Sequence, residues 1–305
     1  MDKDFFKKIR ILDAGMGQEL LARGLVSKGT LWSATSLINE KYYQLVIDTH
    51  LSSIQAGAEV ILTNTFTTRM VRMEQNQVAD RFHFANKKAC ELALKAKELS
   101  KKNILIAGSL PGQNDTYIAD MRDKNIVENN FSEQASILSP YIDFFYLDVL
   151  SSGREIEIAL KVTQKFNKPV LVGIHIKKNG KLPSGETITE VVQKYKNDSW
   201  LGVISACVSL EIIEKTCDEF KKLGIPFGFK ANLWGVEEPL PVHRFNTAGF
   251  NEIGKNPNIT LGKRDEVTDK IFANFTKKII KNGATILGGC CETNASHIRE
   301  IAQLK

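Results

Sequence analysis

Short, nearly unbroken apolar runs alternate along this chain with longer stretches whose apolar positions recur at helical spacing. The runs fall at about 9–14, 59–64, 104–109, 144–150, 170–176, 202–208, 226–231 and 285–289. Runs of this length, apolar on both faces, predict parallel strands covered on both sides. Between them, 40–56, 77–100, 129–141, 155–166, 187–196, 210–223 and 265–282 carry amphipathic patterns and predict helices. Leu45, Ile47, His50, Leu51 and Ile54, for example, recur at helix-like spacing.

Strand–helix alternation repeated eight times predicts a single-domain (β/α)8 TIM barrel over residues 1–305. The competing fold is an open doubly wound sheet, which is usually marked by a glycine-rich phosphate turn after its first strand. The turn Asp13-Ala14-Gly15-Met16-Gly17 has glycines but lacks that spacing. The segment 232–263, rich in Gly, Pro and Asn, predicts an elaborated loop over the barrel mouth.

Composition narrows the class. Of 305 residues, 43% are hydrophobic and 25% charged, enough apolar material for a large core. No apolar run reaches the roughly 18 residues needed to cross a bilayer. The opening MDKDFFKKIR lacks the apolar stretch of a secretory signal, so the cytoplasm is the expected compartment. The net charge of +6 comes from short lysine runs on helix faces and turns, without interleaved aromatics. That is a solvated surface rather than a nucleic-acid footprint. Oligomeric state is not legible.

The cysteines supply the chemistry. Five of them, an odd number, argue against a disulfide framework. Cys90 and Cys217 lie in helical patterns and read as small core residues. Cys207 stands at the end of the sixth predicted strand, and Cys290 and Cys291 follow Gly288-Gly289 at the end of the eighth. Barrel chemistry gathers at the C-terminal ends of strands, so three thiols distant in sequence can meet at one rim. Three sulfurs suit Zn²⁺, with a fourth position open to substrate. Adjacent residues on a regular strand face opposite ways, so the backbone must leave strand geometry at Cys290-Cys291, and Gly288 and Gly289 are expected to ease that bend. Taken alone, Cys207 also fits a core thiol, and the cysteine pair a redox site.

At these residues the chain resembles the homocysteine S-methyltransferase family. The segment Gly288-Gly289-Cys290-Cys291-Glu292-Thr293-Asn294-Ala295-Ser296-His297-Ile298 is similar to the family's GGCCGTTPEHI motif. Weaker likenesses occur in order at 12–17, 31–34, 57–66, 108–110 and 143–148. The resemblance implies a barrel methyltransferase that binds Zn²⁺ through Cys207, Cys290 and Cys291. Its substrates would be homocysteine and a sulfonium or ammonium methyl donor, and its product methionine. It implies that Asp13 and Gly15 hold the amino acid part of homocysteine, that Asp148 stands where a glutamate contacts the substrate amine, that Trp32 lies on the donor side, and that Asn64 and Thr65 line the pocket. No catalytic residue is expected beyond the metal site. Of the histidines, His175, at the end of the fifth strand, is the one expected to face the pocket.

Departures from the family pattern are Ala14 and Glu292 in place of glycines, Asp148 in place of glutamate, Ala206 before Cys207, and Phe229-Lys230-Ala231-Asn232 at the seventh strand. They leave room for another thiol acceptor, or for a protein that binds zinc or a thiol without turnover. A zinc lyase or hydrolase would more often use His and carboxylate ligands.

Overall fold

The eight apolar runs all form parallel strands. The computed structural model describes residues 2–305, and their order around the sheet is β1 (Arg10–Ile11), β8 (Ile286–Gly289), β7 (Phe227–Ala231), β6 (Trp200–Val208), β5 (Val170–Ile174), β4 (Phe144–Leu150), β3 (Leu105–Pro111) and β2 (Val60–Leu62). Leu12 bridges Val60, and the Glu59 N–H donates to the Ile11 carbonyl at 2.8 Å. This contact joins the two ends of the sheet, so the barrel is closed and the open doubly wound alternative is excluded.

The outer face of the strands packs under the helices α1 (Met16–Ala22), α2 (Tyr43–Ala56), α3 (Phe82–Ser100), α4 (Lys124–Leu138), α5 (Gly153–Gln164), α6 (Ile188–Tyr195), α7 (Leu210–Lys221), α8 (Asp269–Lys281) and α9 (Ala295–Ala302). Cys90 and Cys217 are buried in this outer core, as their patterns predict. A second cluster fills the barrel itself, with Leu12, Val60, Phe144, Leu171, Ile204 and Ile286 among its members. The N-terminal turn Phe5–Lys7 closes the bottom. Phe6 is fully buried and meets Phe144 edge-on at 5.8 Å, and the Thr285 hydroxyl donates to its carbonyl at 2.6 Å. Only the C-terminal ends of the strands are left open for chemistry.

Several element boundaries moved for local reasons. The first strand spans only Arg10–Ile11, although its pairing with β8 runs on: the Leu12 N–H donates to the Leu287 carbonyl at 2.7 Å and the Gly289 N–H to the Asp13 carbonyl at 3.0 Å. α4 starts earlier than its apolar pattern because the Asp123 side chain accepts the Asn125 N–H at its N-terminus, and it ends in a 3₁₀ turn at Ser139–Tyr141 that contains Pro140. A 3₁₀ turn at Ala79–Arg81 precedes α3. The strand expected to reach residue 176 stops at Ile174. α9 was not anticipated: its apolar stripe is short, and its start depends on a cap in which Asn294 accepts from Ser296 and His297. The 232–263 segment holds two one-turn helices, Val242–Phe245 and Asn258–Leu261.

Phe6→Ala would leave a void at the closed end of the barrel. It is expected to lower the unfolding free energy by about 3 kcal/mol, measured by chemical denaturation. A loss under about 1 kcal/mol would show that the turn does not seal the core.

Candidate active site

The three cysteines predicted at the strand ends meet at the mouth. Their sulfurs all lie within 4.8 Å of one another. Cys207 Sγ is 3.7 Å from Cys291 Sγ, and Cys290 Sγ is 3.8 Å from Cys291 Sγ, so none is in a disulfide. Two local distortions aim them. Cys207 has φ +53°, and the β6–β7 register shifts between Ala206 and Val208, so the chain bulges and turns this side chain inward. The Asn232 amide donates to the Cys207 carbonyl at 2.7 Å and holds the bulge. Ser209 then caps α7 by accepting the Ile212 N–H.

At the other edge the ladder runs regularly through Gly289, paired with Ala231. The departure from strand geometry therefore comes after the glycines, not within them. Thr293 returns both its N–H (3.1 Å) and its hydroxyl (2.6 Å) to the Cys290 carbonyl, and Glu292 takes φ +63°. A left-handed residue here explains the glycine of the family motif. Gly289 is needed for closeness: a Cβ there would sit 2.1 Å from Thr293 Oγ1. Gly15 serves the same end, since a Cβ on it would lie 2.2 Å from the Cys290 carbonyl oxygen.

Without a cation the three thiols cannot all ionise. Hydrogen bonds from Cys290 and Cys291 hold Cys207 well below the usual thiol range, and those same bonds to Cys207 push Cys291 well above it. Tyr117, from the loop after β3, places its hydroxyl 3.2 Å from Cys207 Sγ, and burial raises its pKa.

A cavity opens over the sulfurs. It is lined by Asp13, Gly15, Trp32, Asn64, Asp148 and the three cysteines, and is roofed by Trp234, Phe245 and Leu261 from the long loop. Trp32 has φ +48°, its ring lies against Gly17, and its indole N–H donates to Gln18 at 3.1 Å. Asn64 is braced by the Ser36 hydroxyl at 3.2 Å. Asp148 accepts from the Ser109 hydroxyl at 2.7 Å, and burial pushes its pKa up to about 7.

Two expectations are corrected. Thr65 does not line the cavity, because its hydroxyl is turned to the Ser109 carbonyl at 2.6 Å. His175 does not reach the cavity either: it is buried behind the Tyr117 ring, 4.5 Å between centroids, and burial lowers its pKa to about 4. Asp13 lines the cavity but is already committed. Its carboxylate accepts the Leu62 N–H at 2.7 Å and pairs with the Lys230 ammonium at 2.5 Å, which also donates to the Asp13 carbonyl at 2.9 Å. Lys230 is buried in the cavity wall and was missed as a site residue. The signal was present in the sequence, as a lysine inside an otherwise apolar strand run. Tyr117 and Ser109 gave no such signal.

Behind this wall, Glu155 at the start of α5 is fully buried and hydrogen-bonded to Ser152 at 2.7 Å, and burial raises its pKa to about 7. In the unfolded chain a glutamate titrates near 4.3. Between these values the folded protein holds the extra proton, so this group's contribution to stability is lost as pH rises through about 7. Glu155→Gln is expected to flatten the decline in urea midpoint between pH 5.5 and 8. An unchanged decline would show that Glu155 is ionised in the folded protein.

The chain matches the family model described as homocysteine S-methyltransferase over residues 10–304. It is 21% identical to homocysteine S-methyltransferase 2 of Zea mays (95% of this chain, 88% of that protein). It is 24% identical to betaine–homocysteine S-methyltransferase 1 of Bos taurus (97% and 72%). Among solved structures it superposes on the metallated form of the homocysteine methyltransferase MmuM from Escherichia coli with a TM-score of 0.77, at 19% identity and covering 98% and 96% of the two chains. This agreement is one of fold. No helix among the described residues is long and apolar enough to cross a membrane. With the family model matched across nearly its whole length, the chain belongs to the homocysteine S-methyltransferase family.

Proposed function

We propose that Cys207, Cys290 and Cys291 bind Zn²⁺ and that the enzyme methylates the thiol of homocysteine, forming methionine. The observation that carries this reading is the sulfur spacing. Zn–S bonds of about 2.3 Å at tetrahedral angles place sulfurs about 3.8 Å apart, and the two closest pairs here stand at 3.7 and 3.8 Å. The donor set is all sulfur, which favours zinc over harder metals. Zinc at this site supplies activation of the acceptor thiol, which ionises on coordination at neutral pH.

The chain's own residues account for the remainder. Asp148, oriented by Ser109, is the cavity carboxylate free to receive the acceptor's ammonium, because Asp13 is occupied by Lys230. Tyr117 and Asn232 hold the side chain and carbonyl of Cys207. Trp234, Phe245 and Leu261 exclude water over the reacting atoms. Trp32 offers an aromatic face to a cationic donor. In the transfer, the new S–CH₃ bond forms as the bond from the methyl carbon to the donor's sulfonium or ammonium centre breaks, and the electron pair stays on the donor.

One observation favours a second acceptor class. Asp13 is already paired with Lys230, and burial pushes the Asp148 pKa up to about 7, so a thiol lacking the α-amino group can be met without an ionised carboxylate left unpaired.

Cys290→Ala is expected to lose stoichiometric zinc and at least a thousandfold in methyl transfer. Full activity after chelation would overturn the proposal. On the wild type, homocysteine is expected to exceed its des-amino analogue, 4-mercaptobutanoate, by tenfold or more in kcat/KM. Equal use of the two would favour the second acceptor class.

A further inference from the structure

Lys230 interrupts the otherwise apolar strand β7 and is 5% exposed. It belongs to the seventh-strand segment in which this chain departs from the family pattern. The ladder sets it beside Ala206, the residue before Cys207, and beside Gly288, two residues before Cys290. Its backbone therefore lies between the two cysteine strands, just below the level of the thiols, and its side chain lines the cavity. Gly288 gives that side chain room, since a Cβ there would lie 3.2 Å from Lys230 Cγ. Past this glycine the lysine reaches Asp13, donating to the carboxylate at 2.5 Å and to the carbonyl at 2.9 Å.

An ammonium carries three protons. Asp13 takes two, and among the described residues no other acceptor lies within hydrogen-bonding distance of Nζ. Asp13 itself needs nothing further, because its second carboxylate oxygen accepts the Leu62 N–H at 2.7 Å. A buried ammonium with an unused donor beside a cavity is placed to receive an anionic group.

The position fits the acceptor. Two other cationic side chains line the cavity, Arg69 and Arg72, and both are bound into the loop after β3. Arg69 donates to the Gly112 carbonyl at 2.7 Å and the Thr116 hydroxyl at 2.8 Å, and Arg72 pairs with Asp115 at 3.4 Å. Lys230 is the cation that stands between the cysteine strands. It is also within electrostatic reach of Asp148: burial pushes that carboxyl up to about 7, and the charge of Lys230 opposes the rise. The ammonium and carboxylate of an α-amino acid share one carbon, so a carboxylate and an ammonium in one cavity wall can hold both at once.

We propose that Lys230 binds the α-carboxylate of the thiol acceptor through its third N–H, while Asp148 takes the α-ammonium, so that the site selects thiols bearing a carboxylate. The inference deepens the proposed function and rests on its acceptor chemistry, but binding of the carboxylate is read without turnover.

The test compares homocysteine with 3-aminopropane-1-thiol, which has the same thiol and ammonium and lacks the carboxylate. Calorimetric affinity and methyl transfer are measured separately on the zinc-loaded full-length protein. The wild type is expected to bind homocysteine more tightly by at least about tenfold, the scale of one hydrogen bond between charged groups. Lys230→Met alone would leave Asp13 buried without its partner, so the decisive variant is the double substitution Asp13→Asn with Lys230→Met. It is expected to bring the two affinities together, whereas Asp13→Asn alone, which keeps the lysine, is expected to preserve the preference.

Equal binding of the two thiols by the wild type, or binding of neither, would overturn the subsite. So would a double variant that weakens both thiols alike and keeps their ratio, since that would make the ion pair a purely structural one. Carboxylate-dependent binding that Lys230→Met abolishes, without methyl transfer in the wild type, would keep the subsite and contradict the methyl-transfer reading.

Discussion

The site depends on three sulfurs from two strands that do not touch. β6 and β8 are separated by β7, so their convergence is set by how closely β7 lies against both. Gly228 shows the tightness of that contact, since a Cβ there would sit 1.7 Å from the Ile286 carbonyl oxygen. The ladder places Ala231 beside both Val208 and Gly289, which puts Cys207 one residue before that level and Cys290 one residue beyond it. A bulge on one side and a tight turn on the other then rotate the thiols toward a common point. The fixed backbone, rather than mutual attraction among the thiols, brings them together.

The electrostatics of the cavity follow from this placement. Three thiols in a buried site cannot all ionise without a cation. The rest of the wall carries charges in defined places: Lys230 on Asp13, and Asp148 held by Ser109. The long loop from 232 to 263 completes it, and its helix Val242–Phe245 is anchored through Asp115 to the loop after β3.

Much of this was legible in the sequence, because parallel barrel strands announce themselves as apolar runs and the cysteines stand at their ends. The alternation predicts the closed barrel, and the cysteines at two strand ends predict the thiol triad. What escaped depended on direction rather than identity. Thr65 and His175 sit at strand ends next to the cavity, but hydrogen bonding and packing turn them away from it. Lys230 is one residue in an apolar run, and only the structure shows its ammonium reaching across to Asp13. The positive φ at Glu292 explains a glycine in the family motif that the sequence of this chain alone does not.

The most direct test is X-ray absorption at the zinc edge of the loaded protein, with and without homocysteine. The account predicts sulfur neighbours from the three cysteines at about 2.3 Å, with one further sulfur joining when homocysteine is added. A shell dominated by nitrogen or oxygen, or a sulfur count unchanged by homocysteine, would contradict it.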